Sequence, residues 1–202
     1  ERKFEEFIGS GYTLSLNSGT AALHIALILA GVKEGDEVIS TAMTAEPTNV
    51  AIKMAGANVR WADVDYETGN IAPKAIENAI NSKTKAIIVV DYAGTPVDVK
   101  SIQGISLKYN IPVIEDAAHA LGTTYNGKKT GNHFPFTVFS FQAIKHLTTV
   151  DGGALQIQDK ELYEKGKLIR WFGLDKKLTR LENDIQIQGY KYHMNNVNAT
   201  IG

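Results

Sequence analysis

Lys85-Ala86-Ile87-Ile88-Val89-Val90 (KAIIVV, 85–90) is apolar without interruption after its first residue, and most of it is β-branched. A strand with one wet face alternates apolar and polar residues. An unbroken run reads as a strand buried on both faces, the condition of parallel sheets covered by helices. Pro112 to Glu115 (PVIE) repeats the signal, with a segment of helical period, Val99 to Tyr109, between the two. Outward from this pair the alternation continues. Thr13 to Leu16, Glu37 to Ser40, Val59 to Val64, Phe136 to Phe141 and Gly153 to Ile157 read as extended. Gly19 to Ala30, Thr48 to Ala55 and Pro73 to Ile80 read as helical, the last with proline in its first turn. Repeated strand–helix units predict an α/β fold with a mainly parallel, mixed central sheet and helices on both faces. In such a sheet ligands bind beyond the carboxyl ends of the strands.

The 202 residues suffice for one well-buried α/β domain. The formal net charge of -1 and the lack of any basic block argue against nucleic acid as the main partner. The chain has no cysteine, which removes disulfides, thiolate catalysis and thiolate-bound zinc. The longest apolar run, Ile25 to Gly31, is far short of a membrane span, so no membrane partner is expected. No secretory signal is visible, and a cytoplasmic address is the expectation. Glu1 to Ile8 begins inside a charged, helix-like stretch, and Asn198 to Gly202 reads like a helix just starting. Both ends read as cut, so residues 1–202 are expected to be part of a longer enzyme.

Three short stretches at predicted strand ends carry chemistry. Asn17-Ser18-Gly19-Thr20 links a strand to a helix, where free backbone N–H groups, Gly19 and the hydroxyls of Ser18 and Thr20 would suit a phosphate. The same residues also make an ordinary N-cap. Glu115-Asp116-Ala117-Ala118-His119 follows the PVI strand, where a carboxylate can pair with a protonated ring nitrogen; it can equally cap a helix. His119, three residues on, would share a helical face with Asp116. Phe139 to His146 follows a third strand, with Ser140 as an anion donor and Lys145 flanked by apolar residues. Partial desolvation would lower the pKa of Lys145 and make it nucleophilic, although most lysines are solvated surface groups. Asp151-Gly152-Gly153 then suits a tight return into the next strand.

Taken together these supply a phosphate cradle, a carboxylate for a ring nitrogen and a lysine, the parts needed to hold pyridoxal 5'-phosphate (PLP). The fingerprints of rival chemistries are missing: there is no G-x-x-x-x-G-K-[ST], G-x-G-x-x-G or G-x-S-x-G. The five histidines (24, 119, 133, 146 and 193) lack zinc-motif spacing, so no metal site is expected.

Four motifs in order, NSGTAAL (17–23), EDAAHALG (115–122), FSFQAIKHLTTVDGGAL (139–155) and GYKYHMNNVNATIG (189–202), resemble the DegT/DnrJ/EryC1/StrS sugar aminotransferases. The resemblance runs from about Phe4 to Gly202. It implies the PLP-dependent transferase fold of type I, with residues 1–202 as the PLP-binding large domain and the small C-terminal domain absent. It further implies that Lys145 carries the cofactor as a Schiff base and shuttles protons, that Asp116 pairs with the pyridine nitrogen, and that His119 lies against or beside the ring. By the same resemblance, Ser140, Gly19 and Thr20 would hold the phosphate. Lys191 stands where many members have an asparagine that reaches the phosphate of a neighbouring subunit, and lysine can also donate there. In place of the aromatic residue that stacks on the ring in many members, this chain has Ala45, within Thr44-Ala45-Glu46-Pro47-Thr48. Either His119 or Met43 would then cover the ring, or the stacking is weaker.

The activity implied is transfer of an amino group from an amino acid, L-glutamate in this family, to a nucleotide-linked keto-sugar. The setting would be cell-surface polysaccharide biosynthesis, by a homodimer with its site at the subunit interface. Two alternatives remain. Sugar dehydratases of the same family replace the Schiff-base lysine with histidine, and Lys145 argues against that reading. A non-catalytic, aminotransferase-like ligand-sensing module would need a DNA-binding segment, and none is visible.

Overall fold

The computed structural model describes residues 1–202. In chain order its elements are α1 (Arg2–Ile8), β1 (Tyr12–Leu16), α2 (Gly19–Leu29), β2 (Glu37–Ser40), α3 (Glu46–Met54), β3 (Asn58–Trp61) and α4 (Pro73–Ala79). They continue with β4 (Thr84–Val90), α5 (Val99–Tyr109), β5 (Val113–Asp116), a ribbon of β6 (Thr124–Tyr125) and β7 (Lys128–Lys129), β8 (Phe136–Ser140), β9 (Gly153–Ile157), α6 (Lys160–Arg170) and α7 (Asn196–Ile201). Local chemistry sets several boundaries. Prolines stand in the first turns of α3 and α4, where their missing N–H costs nothing. Asp98 and Asp159 cap α5 and α6 by accepting from the amides of Ser101 and Leu162 at 3.1 and 2.9 Å. Asn110 ends α5 in the left-handed region at φ 52°, which asparagine tolerates.

Seven strands form one sheet in the order β1-β9-β8-β5-β4-β2-β3. Its pairs are parallel except β1–β9 and β8–β9, so β9 alone runs against the rest. The expected mixed, mainly parallel sheet is therefore present. Ala86 to Val89 of β4 are wholly buried, which is why that stretch shows no polar alternation. One sheet face packs Leu14, Ile88, Ile114 and Val138 against α2, α3 and Ile169 of α6. On the opposite face Ile87, Val89 and Val113 meet Ile76 of α4 and Val99, Ile102 and Ile105 of α5. At the β8–β9 end of that second face, Phe4 and Ile8 of α1 pack on Phe139 and Ala154.

Three features differ from the sequence reading. Asp116 is the last residue of β5, and no helix follows it. The Ala117 amide continues the sheet by donating to the Val138 carbonyl at 2.9 Å, and the Ala120 amide closes a turn onto the Ala117 carbonyl at 2.9 Å. Asp116 thus ends a strand and His119 lies in the turn after it, so the two share no helical face. The second difference is α6, whose pattern Gly166 interrupts. A Cβ at Gly166 would stand 2.6 Å from Cδ1 of Leu14, so the glycine serves close helix–sheet packing. Residues 59–64 also read as one extended run, whereas β3 ends at Trp61 and Val64 pairs separately with Ile71.

Candidate active site

A cavity of about 410 Å³ opens at the carboxyl edge of the sheet, the place α/β folds reserve for ligands. Its wall takes residues from the turn that starts α2, the segment after β2, the ends of β4, β5 and β8, and the loop between β8 and β9. Ser18, Gly19, Thr20, Asp116, His119, Ser140 and Lys145 all line it.

The floor is the turn that starts α2. Ser18 is an N-cap, its Oγ accepting from the Ala21 amide at 3.1 Å, so the plain structural role foreseen for it is realised. The amides of Gly19 and Thr20 precede the first intrahelical bond and have no protein acceptor. The Thr20 hydroxyl has no protein partner either, and that of Ser140 meets only the Gln142 amide, at 3.5 Å. Two glycines allow this turn to lie so deep. A Cβ on Gly19 would stand 3.2 Å from Cβ of Ser140, and one on Gly153 would stand 2.5 Å from the carbonyl carbon of Ser18. The helix end, its free amides and two hydroxyls converge on a spot suited to a phosphate dianion.

Asp116 is buried at 5% exposure, yet no cation bonds to it. Oδ2 accepts from the Thr48 hydroxyl at 2.8 Å and Oδ1 from the Ala118 amide at 3.2 Å. Burial pushes its pKa up, while those two bonds and the charges of Lys145 and His119 act to lower it. A protonated ring nitrogen would supply the missing opposite charge. Lys145 sits half-buried in the loop between β8 and β9, its amide bonded to the Gln142 carbonyl at 2.9 Å. The neck of this loop is pinned where the Phe141 amide donates to the Gly152 carbonyl and the Thr149 amide to the Phe141 carbonyl, at 2.9 and 3.0 Å. Desolvation lowers the pKa of Lys145, and the nearby Asp116 charge opposes that. His119 is exposed, its pKa lowered by desolvation and by Lys145.

Lys191 is exposed and does not line the cavity of its own chain; its carbonyl accepts from Nδ2 of Asn17 at 3.3 Å, beside the α2 turn. Of the two groups considered as ring covers, His119 lines the cavity and Met43 does not; Ala45, at the position of the missing aromatic, lines it too. Tyr92 lines it too, its ring set against Gly69, where a Cβ would stand 3.0 Å from Cδ1 of Tyr92. Sequence reasoning missed Tyr92 and Asp91, and it gave no role of their own to Thr48 and the buried Glu115, which it met only within their motifs. Glu115 faces away from Asp116 by strand parity, Asp91 lines the cavity just past β4, and each leaves one carboxyl oxygen without a partner. The Asp91-Tyr92 pair at the end of the KAIIVV strand was the signal available, since strand ends are where such sheets keep their sites.

An anion cradle, a buried carboxylate lacking a cation and a half-buried lysine share one cavity, and this donor set fits PLP. Fold and site thus define a type I fold of the PLP-dependent transferases. The chain belongs to the DegT/DnrJ/EryC1/StrS aminotransferase family, whose sequence model matches residues 1–202. The uncharacterized protein MJ1066 of Methanocaldococcus jannaschii is 42% identical over 209 residues, covering 100% of this chain and 54% of that protein. Among solved structures, Helicobacter pylori PseC, an aminotransferase involved in the biosynthesis of pseudoaminic acid, superposes with a TM-score of 0.92 at 35% identity, over 100% of this chain and 54% of its own. The PLP form of the putative sugar aminotransferase Spr1654 from Streptococcus pneumoniae gives 0.92 at 32% identity, over 100% and 56%. The chain therefore spans about half the length of the relatives it matches.

Proposed function

We propose that the protein is a PLP-dependent aminotransferase that moves an amino group from L-glutamate to a nucleotide-linked keto-sugar. The observation that carries this reading is the convergence of Lys145 and Asp116 on one cavity floored by the free amides of Gly19 and Thr20. PLP, when bound, supplies a carbonyl that exchanges amino groups and a ring that accepts electrons from the substrate carbon. Gly19, Thr20 and Ser140 would hold its phosphate. Asp116, ionised, would hold a proton at the ring nitrogen. Lys145 would anchor the cofactor through Nζ and, once freed, take a proton from the α-carbon of the donor; its lowered pKa favours the neutral amine this needs. His119 and Tyr92 are the aromatic groups at hand to cover the ring.

Residues 1–202 would form the large, PLP-binding domain of a cytoplasmic homodimer, with the site at the subunit interface. Exposed outside its own cavity, Lys191 would then donate to the phosphate in the partner subunit. The similarity to PseC, an aminotransferase of pseudoaminic acid biosynthesis, supports a biosynthetic aminotransferase, and the setting would be cell-surface polysaccharide. In the test, the full-length protein is incubated with PLP, L-glutamate and a panel of nucleotide keto-sugars. Mass spectrometry should find one sugar with its carbonyl oxygen replaced by an amino group, and none in Lys145→Ala. A Lys145→Ala protein that keeps the absorbance of lysine-bound cofactor would sink the assignment.

A further inference from the structure

We infer that Thr44 and Thr48 form a one-way hydroxyl relay that positions Asp116 and keeps it ionised, with Thr48 as the positioning residue. The inference rests on the reading of Asp116 as the partner of a cofactor ring nitrogen. It starts from geometry. Oγ1 of Thr48 lies 2.8 Å from Oδ2 of Asp116 and 2.8 Å from Oγ1 of Thr44. Thr48 is wholly buried on α3, and Thr44 lines the cavity mouth just before that helix.

Counting hydrogens fixes the direction. An ionised carboxylate only accepts, so the single hydroxyl hydrogen of Thr48 must point at Asp116. Thr48 then has only lone pairs left for Thr44, and Thr44 must donate to it. Thr44 is left facing the cavity with an acceptor and no hydrogen. It would accept an N–H or O–H of whatever binds there and cannot donate to a carbonyl. A protonated Asp116 could donate to Thr48 instead and reverse the chain, so the relay favours the ionised acid as long as Thr44 donates inward.

Other groups act on the same carboxyl, and none replaces the relay. From β5 and the turn after it come the Ala118 amide and the His119 charge, and from the β8–β9 loop the Lys145 charge. Asp91, beyond the end of β4, interacts with it as a like charge. Thr48 is the only side chain that hydrogen-bonds to Asp116. It also reaches the acid from a separate helix, so it fixes the plane of the carboxyl that a ring nitrogen would meet.

The test compares Thr48→Val, which keeps the shape and removes the hydroxyl, with Thr48→Ser, which restores it. In ligand-free full-length protein with carboxyl-labelled aspartate, the Asp116 signal is assigned by its loss in Asp116→Asn and followed against pH. Thr48→Val should raise the Asp116 midpoint by about one unit, the worth of one hydrogen bond to a charged group, and Thr48→Ser should bring it back. In PLP-loaded protein the pH midpoint of the visible absorbance should move in Thr48→Val and return in Thr48→Ser. Thr44→Val, which removes the donor behind Thr48, should raise the Asp116 midpoint by less, and it carries the test if Thr48→Val does not fold. An Asp116 midpoint unchanged in these variants overturns the relay whether or not PLP binds. Wild-type protein that takes up no PLP overturns the cofactor reading, and the ligand-free titration still decides the relay.

Discussion

Gly153 sets how close β9 comes to the α2 turn. With a Cβ there placed 2.5 Å from the Ser18 carbonyl carbon and 2.6 Å from the Gly19 amide nitrogen, backbone would have to move. Gly153→Ala is therefore expected to cost about 2 kcal/mol of stability, the scale of overpacking, and to weaken PLP binding at least tenfold, read by thermal melting and by titration. Gly19→Ala makes a milder contact, Ser140 Cβ at 3.2 Å and the Phe139 carbonyl oxygen at 3.7 Å, which a shift of a few tenths of an ångström relieves. It should melt near wild type while weakening PLP binding, because the added methyl crowds the phosphate cradle and not the core. Equal losses of stability in the two variants would contradict this division. A third residue, Val150, is held at φ 74° beside the lysine loop, a region a β-branched side chain avoids. Strain of this kind gathers where the surrounding fold over-determines a site.

Strand ends bring acids together. Asp91 follows β4 and Glu115 lies in β5, both almost fully buried. Burial raises Asp91 to about 7, against the Val97 amide that lowers it and with the Asp116 charge adding to the rise. Burial and the Asp91 charge raise Glu115 to about 8, with Thr137 and the Gly131 amide opposing. Both carboxyls hold their protons more tightly folded than at the ordinary values of 3.8 and 4.5. Their contribution to stability is therefore complete below those ordinary values, and it is lost as pH rises through about 7 and 8. The melting temperature should fall across that range, and Glu115→Gln, which needs no proton, should flatten the fall. A wild-type profile level from mildly acid to alkaline pH would count against the buried pair. Helix α2 makes a simpler case: Ser18→Ala removes its cap and should cost about 1 kcal/mol, measured by denaturant unfolding.

The molecule as a whole is a sheet with a dry centre and a thinner edge. Strands β5, β4 and β8 lie inside it, while β3 closes one edge and is largely exposed. Amide exchange should be slowest at Ile87–Val89 and Val113–Glu115 and fastest, among strands, at Asn58–Trp61, since the edge can open without disturbing the core. Fast exchange in β5 would refute this order. The local pattern of the chain was enough to mark most of these elements, because buried parallel strands and capped helices leave their signature within a few residues. It was also enough to single out Ser18, Gly19, Thr20, Asp116, Ser140 and Lys145, which stand in short motifs at strand ends. It failed at α6, where Gly166 obeys a packing need set by Leu14, far away in sequence. It failed also at Thr48, 68 residues from the carboxylate it bonds. By itself, then, the sequence determined the fold class and picked out side chains that the fold gathers around one cavity. Only the tertiary structure decided the reversal of β9, the exclusion of Lys191 from its own cavity and the meeting of Thr48 with Asp116. Periodicity and caps act through neighbours along the chain, whereas those contacts depend on strand order, which crossover connections set across tens of residues.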